Sequence, residues 1–418
     1  MAAEVSGRLE VRHERGTVGQ LARNAEGRFA FAYDADWSAF AISLSLPLAV
    51  REVDGGAAHA FFANLLPEGA ARELVCRQLG ISIDNDFALL GAIGGECAGA
   101  LSVVEPGAPR PDPEAYRYER LGDERLQALL GGDLAPLLVT EDETRLSLAG
   151  AQHKLPVAIL DGEVQLSHGQ APTTHILKLP SQHYKHMPVN EAYVLGLAAQ
   201  VGLDVVRAEL FTRLEPPGLM VERYDRVAAV DEHWPARRIH QEDLCQALGR
   251  LPGNKYEREG GPSLLQAVQV VQRHSSNPLV DVRRLIEWQA FNLIAGNSDG
   301  HGKNLAFVHD EGEVRLAPFY DLVSTRHYRG IARSMAMRVA DRDDPDQIGG
   351  AQWQAFAAEA GLGRRVVEGL VQGVVQRCLA VIDEWTETFR ARYGEQSILQ
   401  ELPSSIASRA KRHERRLG

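Results

Sequence analysis

Between Glu105 and Pro113, four prolines and one glycine fall within nine residues. Proline has no amide to give a helix or a sheet ladder, so no regular element can run through this stretch. The chain is therefore predicted to divide into a small module, residues 1–113, and a larger body beyond it. A length of 418 residues agrees with that division, because one hydrophobic core seldom organises so long a chain. Upstream of the break, residues 28–33 and 41–46 read as short strands and Gly69–Leu79 as a helix, which makes the first module mixed.

Downstream, residues 155–160 and Glu163–Ser167 flank Asp161-Gly162, a dipeptide that tolerates positive φ in a tight hairpin. A third strand, 174–179, places Lys178 on the face opposite Leu177 and Leu179. Asn190 is then positioned to cap a helix that carries Glu191 in its first turn. Its Val194, Leu197, Ala198 and Val201 recur at helical spacing before Gly202 stops it. Strands over 208–213 and Gly218–Glu222 lead into the connector Arg223-Tyr224-Asp225-Arg226. Beyond it the chain reads as largely helical. Residues 282–295 carry Leu285, Ile286, Ala290, Leu293 and Ile294 on one stripe, and a single hairpin is centred on Glu311-Gly312. The predicted class is α+β in two lobes, a β-rich one over 114–226 and a helical one over 227–418, in the element order of a protein kinase.

The chemistry concentrates in Gly296-Asn-Ser-Asp299-Gly-His301-Gly-Lys303-Asn304, followed by the hairpin and then Pro318-Phe-Tyr-Asp321. Phosphoryl transfer needs a carboxylate to orient the attacking hydroxyl and oxygen ligands to hold Mg²⁺ on the phosphates. Asp299 and Asn304 have the D-x-x-x-x-N spacing of a kinase catalytic loop, and the hairpin returns Asp321 to the same end. As a bare pattern the spacing is weak, since Asp and Asn also form turns. The preceding helix, the following hairpin and the second Asp give it weight. Gly296-Asn-Ser298-Asp-Gly300 also matches the G-x-S-x-G nucleophile elbow, but that elbow must follow a strand and open a helix, and here a helix precedes the serine. Upstream, Ser147-Leu-Ala149-Gly150-Ala151-Gln152-His153-Lys154 is a loop of small residues that could bring backbone amides to phosphates. Lys178 is the candidate for the α- and β-phosphates, with Glu191 holding it; Gln241-Glu-Asp243 reads equally as a cleft contribution or a cap.

Several function classes are excluded or weakened. A net charge of −11 and a pI near 5.7 argue against binding nucleic acid through the chain's own field. The basic run 408–416 reads as a solvated terminus. Cys76, Cys97, Cys245 and Cys378 are too scattered for a disulfide framework or structural zinc, and read as buried thiols. No apolar run approaches the ~20 residues needed to span a bilayer, and residues 1–9 lack a signal-peptide pattern, so a cytoplasmic location with no membrane partner is expected.

Taken together, these segments resemble the HipA family of bacterial toxin serine/threonine kinases over most of the chain. The resemblance also rests on Phe61-Phe-Ala-Asn-Leu-Leu-Pro-Glu68, Asn190-Glu-Ala-Tyr193, Val221-Glu-Arg-Tyr-Asp-Arg226, His240-Gln-Glu-Asp-Leu-Cys-Gln246, and Lys255-Tyr-Glu257 with Gly260-Gly-Pro262. It implies that Asp299 is the catalytic base, that Asn304 and Asp321 bind Mg²⁺, and that Lys178 contacts ATP. It implies that adenine meets the backbone of Glu222 and Tyr224 in the hinge. Asp225, Gln241, His301, Lys303 and Lys154 join the 147–152 loop in the nucleotide site. Ser147 would be an autophosphorylated regulatory serine. The resemblance also implies a helix-turn-helix antitoxin as partner, DNA contact only through it, and a protein substrate such as glutamyl-tRNA synthetase. His153 stands where the family often has Glu. Gly302 stands where Ala is common, and is expected to loosen the catalytic loop. A small-molecule kinase and a silent nucleotide-binding partner of an antitoxin remain as alternatives.

Overall fold

The computed structural model describes residues 7–24, 27–110, 112–128, 130, 154–181, 183–227 and 236–418. Its first sheet has the strand order Glu52–Asp54, Phe29–Tyr33, Gly16–Arg23, Arg8–His13, Ser102–Val104, all antiparallel. Phe29, Phe31 and Tyr33 alternate inward, as a half-buried strand requires, and pack under the helices Gly56–Ala63, Gly69–Leu79 and Asp86–Ile93. The 69–79 helix is where the sequence places it. The expected strand at 41–46 does not form: only one bridge, Ser43 to Leu46, is present. The Tyr33 hydroxyl instead donates to Leu46 O (2.6 Å) and accepts from the Ile42 amide (3.0 Å), so a side chain takes the bonds a partner strand would have taken.

A second, six-stranded sheet runs Ala208–Phe211, Gly218–Glu222, His175–Lys178, Lys154–Leu160, Glu163–Ser167, Tyr118–Arg120. Asp161 (φ 53°) and Gly162 (φ 76°) make the tight turn that their dipeptide favours. Leu155, Val157, Val164, Leu166, Leu177 and Leu179 of this sheet share one hydrophobic core with the first module.

The helix expected to start at Asn190 begins three residues earlier, spanning Met187–Val201. Asn190 is buried inside it, its side chain bonded to the main chain of Ser324 at 3.1 and 2.8 Å. This helix packs on the long helix Arg364–Tyr393. Gly196 makes that approach close, since a Cβ there would lie 2.1 Å from the Trp385 ring. The second core unites it with Leu264–His274, Pro278–Ala295 and Leu402–Leu417. The hairpin Ala306–Asp310 with Glu313–Leu316 gains a third strand, His240–Asp243. Residues 408–416 are no loose terminus. They lie in the Leu402–Leu417 helix, with Ile406, Ala410 and His413 buried. The four cysteines are buried and free, and among the described residues no helix is long and apolar enough to cross a membrane.

Candidate active site

The Pro278–Ala295 helix stops at Gly296, whose φ of 73° is easy only for glycine. Arg409, from the last helix, donates to the orphan carbonyls Ile294 O (2.9 Å) and Ala295 O (2.7 Å) and so caps this end. The following loop is fixed by short bonds. The Asp299 amide donates to Asn297 Oδ1 (3.1 Å), and the His301 amide to Asn304 Oδ1 (3.1 Å). Asp299 is the one exposed residue between Leu285 and Ala306. Ser298 donates to Arg333 O at 3.2 Å and its amide is held by Thr325 Oγ1 at 2.7 Å, so it has no nucleophile-elbow geometry. The hairpin then returns the chain to Asp321, a non-glycine residue at φ 59°, a region occupied mainly where surroundings enforce it.

Lys178 Nζ lies 2.6 Å from Glu191 Oε1 and is also hydrogen-bonded to Asp321 Oδ1. Asn304 Nδ2 donates to Asp321 Oδ2 at 3.1 Å. Lys178, Glu191, Asn304 and Asp321 are therefore one connected group built from four separate segments. Burial disfavours the Lys178 ammonium, but the Asp321 and Glu191 charges outweigh it and hold its pKa above the ordinary value. Asp321 is likewise penalised by burial, yet Lys178 brings it down to about 2. Glu191, not in the first turn as expected, is raised to about 7 because burial exceeds the help from Lys178.

These groups open into a cavity of about 250 Å³ that Lys154, Asp243, Asp299, His301 and Lys303 also line. Burial lowers Lys154 to about 8, with Asp321 opposing, and raises Asp243 to about 6, with Lys303 opposing. At the far end lie Glu222 and Tyr224. Among the described residues neither the Glu222 carbonyl nor the Tyr224 amide is hydrogen-bonded, leaving an acceptor and a donor two residues apart. Tyr224 stacks on Tyr320 (5.6 Å between centroids) and bonds Gln241 through its hydroxyl. Asp243 does both things open to it, facing the cavity and capping Leu244–Ala247. Asp225 also borders the cavity, but its carboxylate is engaged by Arg223 (2.8 Å), Arg226 (2.8 Å) and the Gly99 amide (2.7 Å). Ser147, Ala149, Gly150, Ala151, Gln152 and His153 lie outside the described residues.

Sequence reasoning assigned no role to four side chains at this cavity or beside it. Glu68, from the first module, pairs with Lys303 (2.8 Å) and Lys255 (3.0 Å), and Asn64 Oδ1 accepts from Lys303 (2.9 Å). The Tyr256 hydroxyl donates to Asp299 Oδ1 (2.6 Å). All four lie in segments that carry the family resemblance, which was the available signal. Gly302 does not loosen its loop: a Cβ there would meet Pro262 Cγ at 2.7 Å and Cys245 Sγ at 2.8 Å, so the glycine permits close packing. An Asp and an Asn on a cavity lined by both acids and lysines fit Mg²⁺, which takes few protein oxygens and completes its shell with phosphate and water. Among the described residues no cluster of three or more His, Cys, Asp or Glu side chains offers a separate metal cage.

Two sequence-family descriptions match the chain: the HipA N-terminal domain over residues 9–104 and the HipA-like C-terminal domain over 146–382. The chain belongs to the HipA family. A Shewanella oneidensis relative named serine/threonine-protein kinase toxin HipA is 32% identical over 91% of this chain and 92% of its own length. A Sinorhizobium fredii protein, provisionally named kinase Y4mE, is 38% identical over 94% of this chain and 95% of its own. The solved complex of Shewanella oneidensis HipA, HipB and operator DNA superposes with a TM-score of 0.85 at 29% identity, covering 97% of both chains. The fold is thus HipA-like α+β, and both relatives carry the name of kinase.

Proposed function

We propose that this HipA-family chain transfers the γ-phosphoryl group of Mg-ATP to a serine or threonine hydroxyl of a protein. The observation that carries the reading is the Lys178–Glu191–Asp321–Asn304 group facing one cavity with the exposed Asp299. Asp321 and Asn304 would hold Mg²⁺, which neutralises charge on the phosphates when bound. Lys178 would meet the α- and β-phosphates once Asp321 turns to the metal, with Glu191 keeping it in place. The Glu222 carbonyl and Tyr224 amide suit the adjacent donor and acceptor on the adenine edge. Asp299 orients the acceptor hydroxyl and receives its proton as the new O–P bond forms and the bond to the ADP oxygen breaks.

By kinship with the HipA–HipB complex, the partner is a small helix-turn-helix antitoxin, with DNA reached through it. Ser147 is the proposed self-inactivation site, because two added negative charges beside bound phosphate would repel it. The test is ³²P transfer from ATP to candidate proteins, glutamyl-tRNA synthetase first, beside Asp321→Ala. Transfer that depends on Asp321, and a phosphate mass shift on Ser147, are the expected results. Transfer undiminished by Asp321→Ala would refute the site.

A further inference from the structure

The segment Lys255-Tyr256-Glu257 with Gly260-Gly261-Pro262 has no part in the reading above, yet it wraps the catalytic loop. The Gly302 amide donates to Lys255 O (3.1 Å), and Pro262 fills the space a Gly302 side chain would need. The strap turns back on itself through a Gly261-to-Tyr256 backbone bond of 2.9 Å. Only glycine fits there, since a Cβ on Gly261 would stand 2.4 Å from Asn254 O. Glu257 ties the strap outward, its amide donating to Ala336 O (3.2 Å) and its Oε2 accepting from the Arg338 amide (2.7 Å). The Tyr256 ring stands edge-on to His301 at 5.2 Å between centroids, with the Lys255 and Arg258 cations at 5.9 and 5.7 Å from it.

The result is one directed bond, Tyr256 hydroxyl to Asp299 Oδ1 at 2.6 Å, while among the described residues Oδ2 has no partner. A carboxylate that is free to rotate presents either oxygen to an acceptor in many directions. One held at a single oxygen presents the other in a fixed direction. We infer that Tyr256 is a positioning residue for the catalytic carboxylate: it pins Asp299 Oδ1 so that Oδ2 faces the incoming hydroxyl. The inference rests on the kinase reading and deepens it. Burial and the Asp299 charge both raise the Tyr256 pKa, so the hydroxyl stays a donor at neutral pH.

The experiment is a double-mutant cycle on the full chain. Mg-ATP and dephosphorylated casein serve as the probe, and ADP release and ³²P-casein are measured for wild type, Tyr256→Phe, Asp299→Asn and the double variant. Tyr256→Phe keeps the ring on His301 and should lower kcat roughly 10- to 100-fold, the effect of one hydrogen bond to a charged group, with KM for ATP unchanged. In the Asp299→Asn background the same change should have no further effect, because its target is gone. Nucleotide affinity measured by fluorescence on each variant shows that the site is folded. Multiplicative losses in the double variant, a raised KM with unchanged kcat, or full activity of Tyr256→Phe would each overturn the inference and leave the kinase reading standing. Lost nucleotide affinity in Tyr256→Phe would overturn it too, as a packing role. A wild-type chain that turns over no ATP would overturn both.

Discussion

Two buried clusters of charge lie within this fold, and they behave oppositely. In the hinge, Arg223 and Arg226 face Asp225 and Glu96, the last supplied by the first module. Arg223 grips Asp225 through two bonds of 2.9 and 2.8 Å and Glu96 through contacts of 3.1 and 3.2 Å. Burial would raise both acids, but the arginines lower both, Asp225 well below the carboxylate range. In the cleft, Glu191 is as deeply buried and Lys178 nearly so, but Asp321 keeps 41% of its side chain exposed and adopts a left-handed backbone, and the group opens on a cavity. The hinge cluster is closed: each charge has its partner inside the protein. The cleft cluster is arranged so that a ligand can exchange with one of its own members. Neither buried charge nor a bordering cavity, which Asp225 also has, therefore identifies a site; side chains left open to the cavity and an enforced backbone conformation do.

The comparison can be broken at either cluster. On the cleft side, Asp299→Asn should reduce phosphoryl transfer by ~10²–10⁴-fold with ATP affinity preserved, read from kcat and from nucleotide titration. On the hinge side, Asp225→Ala leaves two buried guanidiniums to share Glu96 alone. It should cost about 3–5 kcal/mol of stability in urea denaturation, because removing one member of a buried ion group leaves buried charge uncompensated. Asp225→Ala that left stability untouched but abolished transfer would exchange the roles assigned to the two clusters. Gly302→Ala sharpens the cleft side. Its methyl would press on Pro262 and Cys245, with an expected cost of about 1–3 kcal/mol by the same denaturation measurement.

The smallest expected effect concerns His240, which is buried near the hinge cluster and bonded to Ile42 O at 2.7 Å. Burial lowers its pKa to about 3 from 6.5. Between those values the unfolded chain binds a proton that the folded one refuses, so stability falls as pH drops below about 6.5. From about pH 6.5 to about pH 5.5 His240 should contribute about 1 kcal/mol of the loss, seen as a fall in urea midpoint smaller by that amount in His240→Gln.

Much of this was legible in the sequence wherever the determining interaction is local. Asp161-Gly162 and Glu311-Gly312 form tight turns because those residues tolerate positive φ, which all four adopt. The Asp299–Asn304 spacing and the Asp321 return follow from one loop and one hairpin. What escaped depends on partners far along the chain. Asn190 looks like a cap until Ser324, 134 positions away, claims its amide. Asp225 reads as a polar connector residue until Glu96 completes its cluster. Tyr256 reaches Asp299 across 43 residues, and Asn64 reaches Lys303 across 239. No periodicity reports such pairings. The buried His413, Ala410 and Ile406 were different: their spacing is that of a helix stripe, readable in principle beneath the charges that surround them.

The guanidinium of Arg409 sits on the end of a helix made 115 residues before it. A nascent chain leaving the ribosome therefore contains Asp299, Asn304, Asp321 and Lys178 while the cap on the Pro278–Ala295 helix has yet to be translated. This order of synthesis delays the finished cleft until the residues between that helix and Arg409 have emerged.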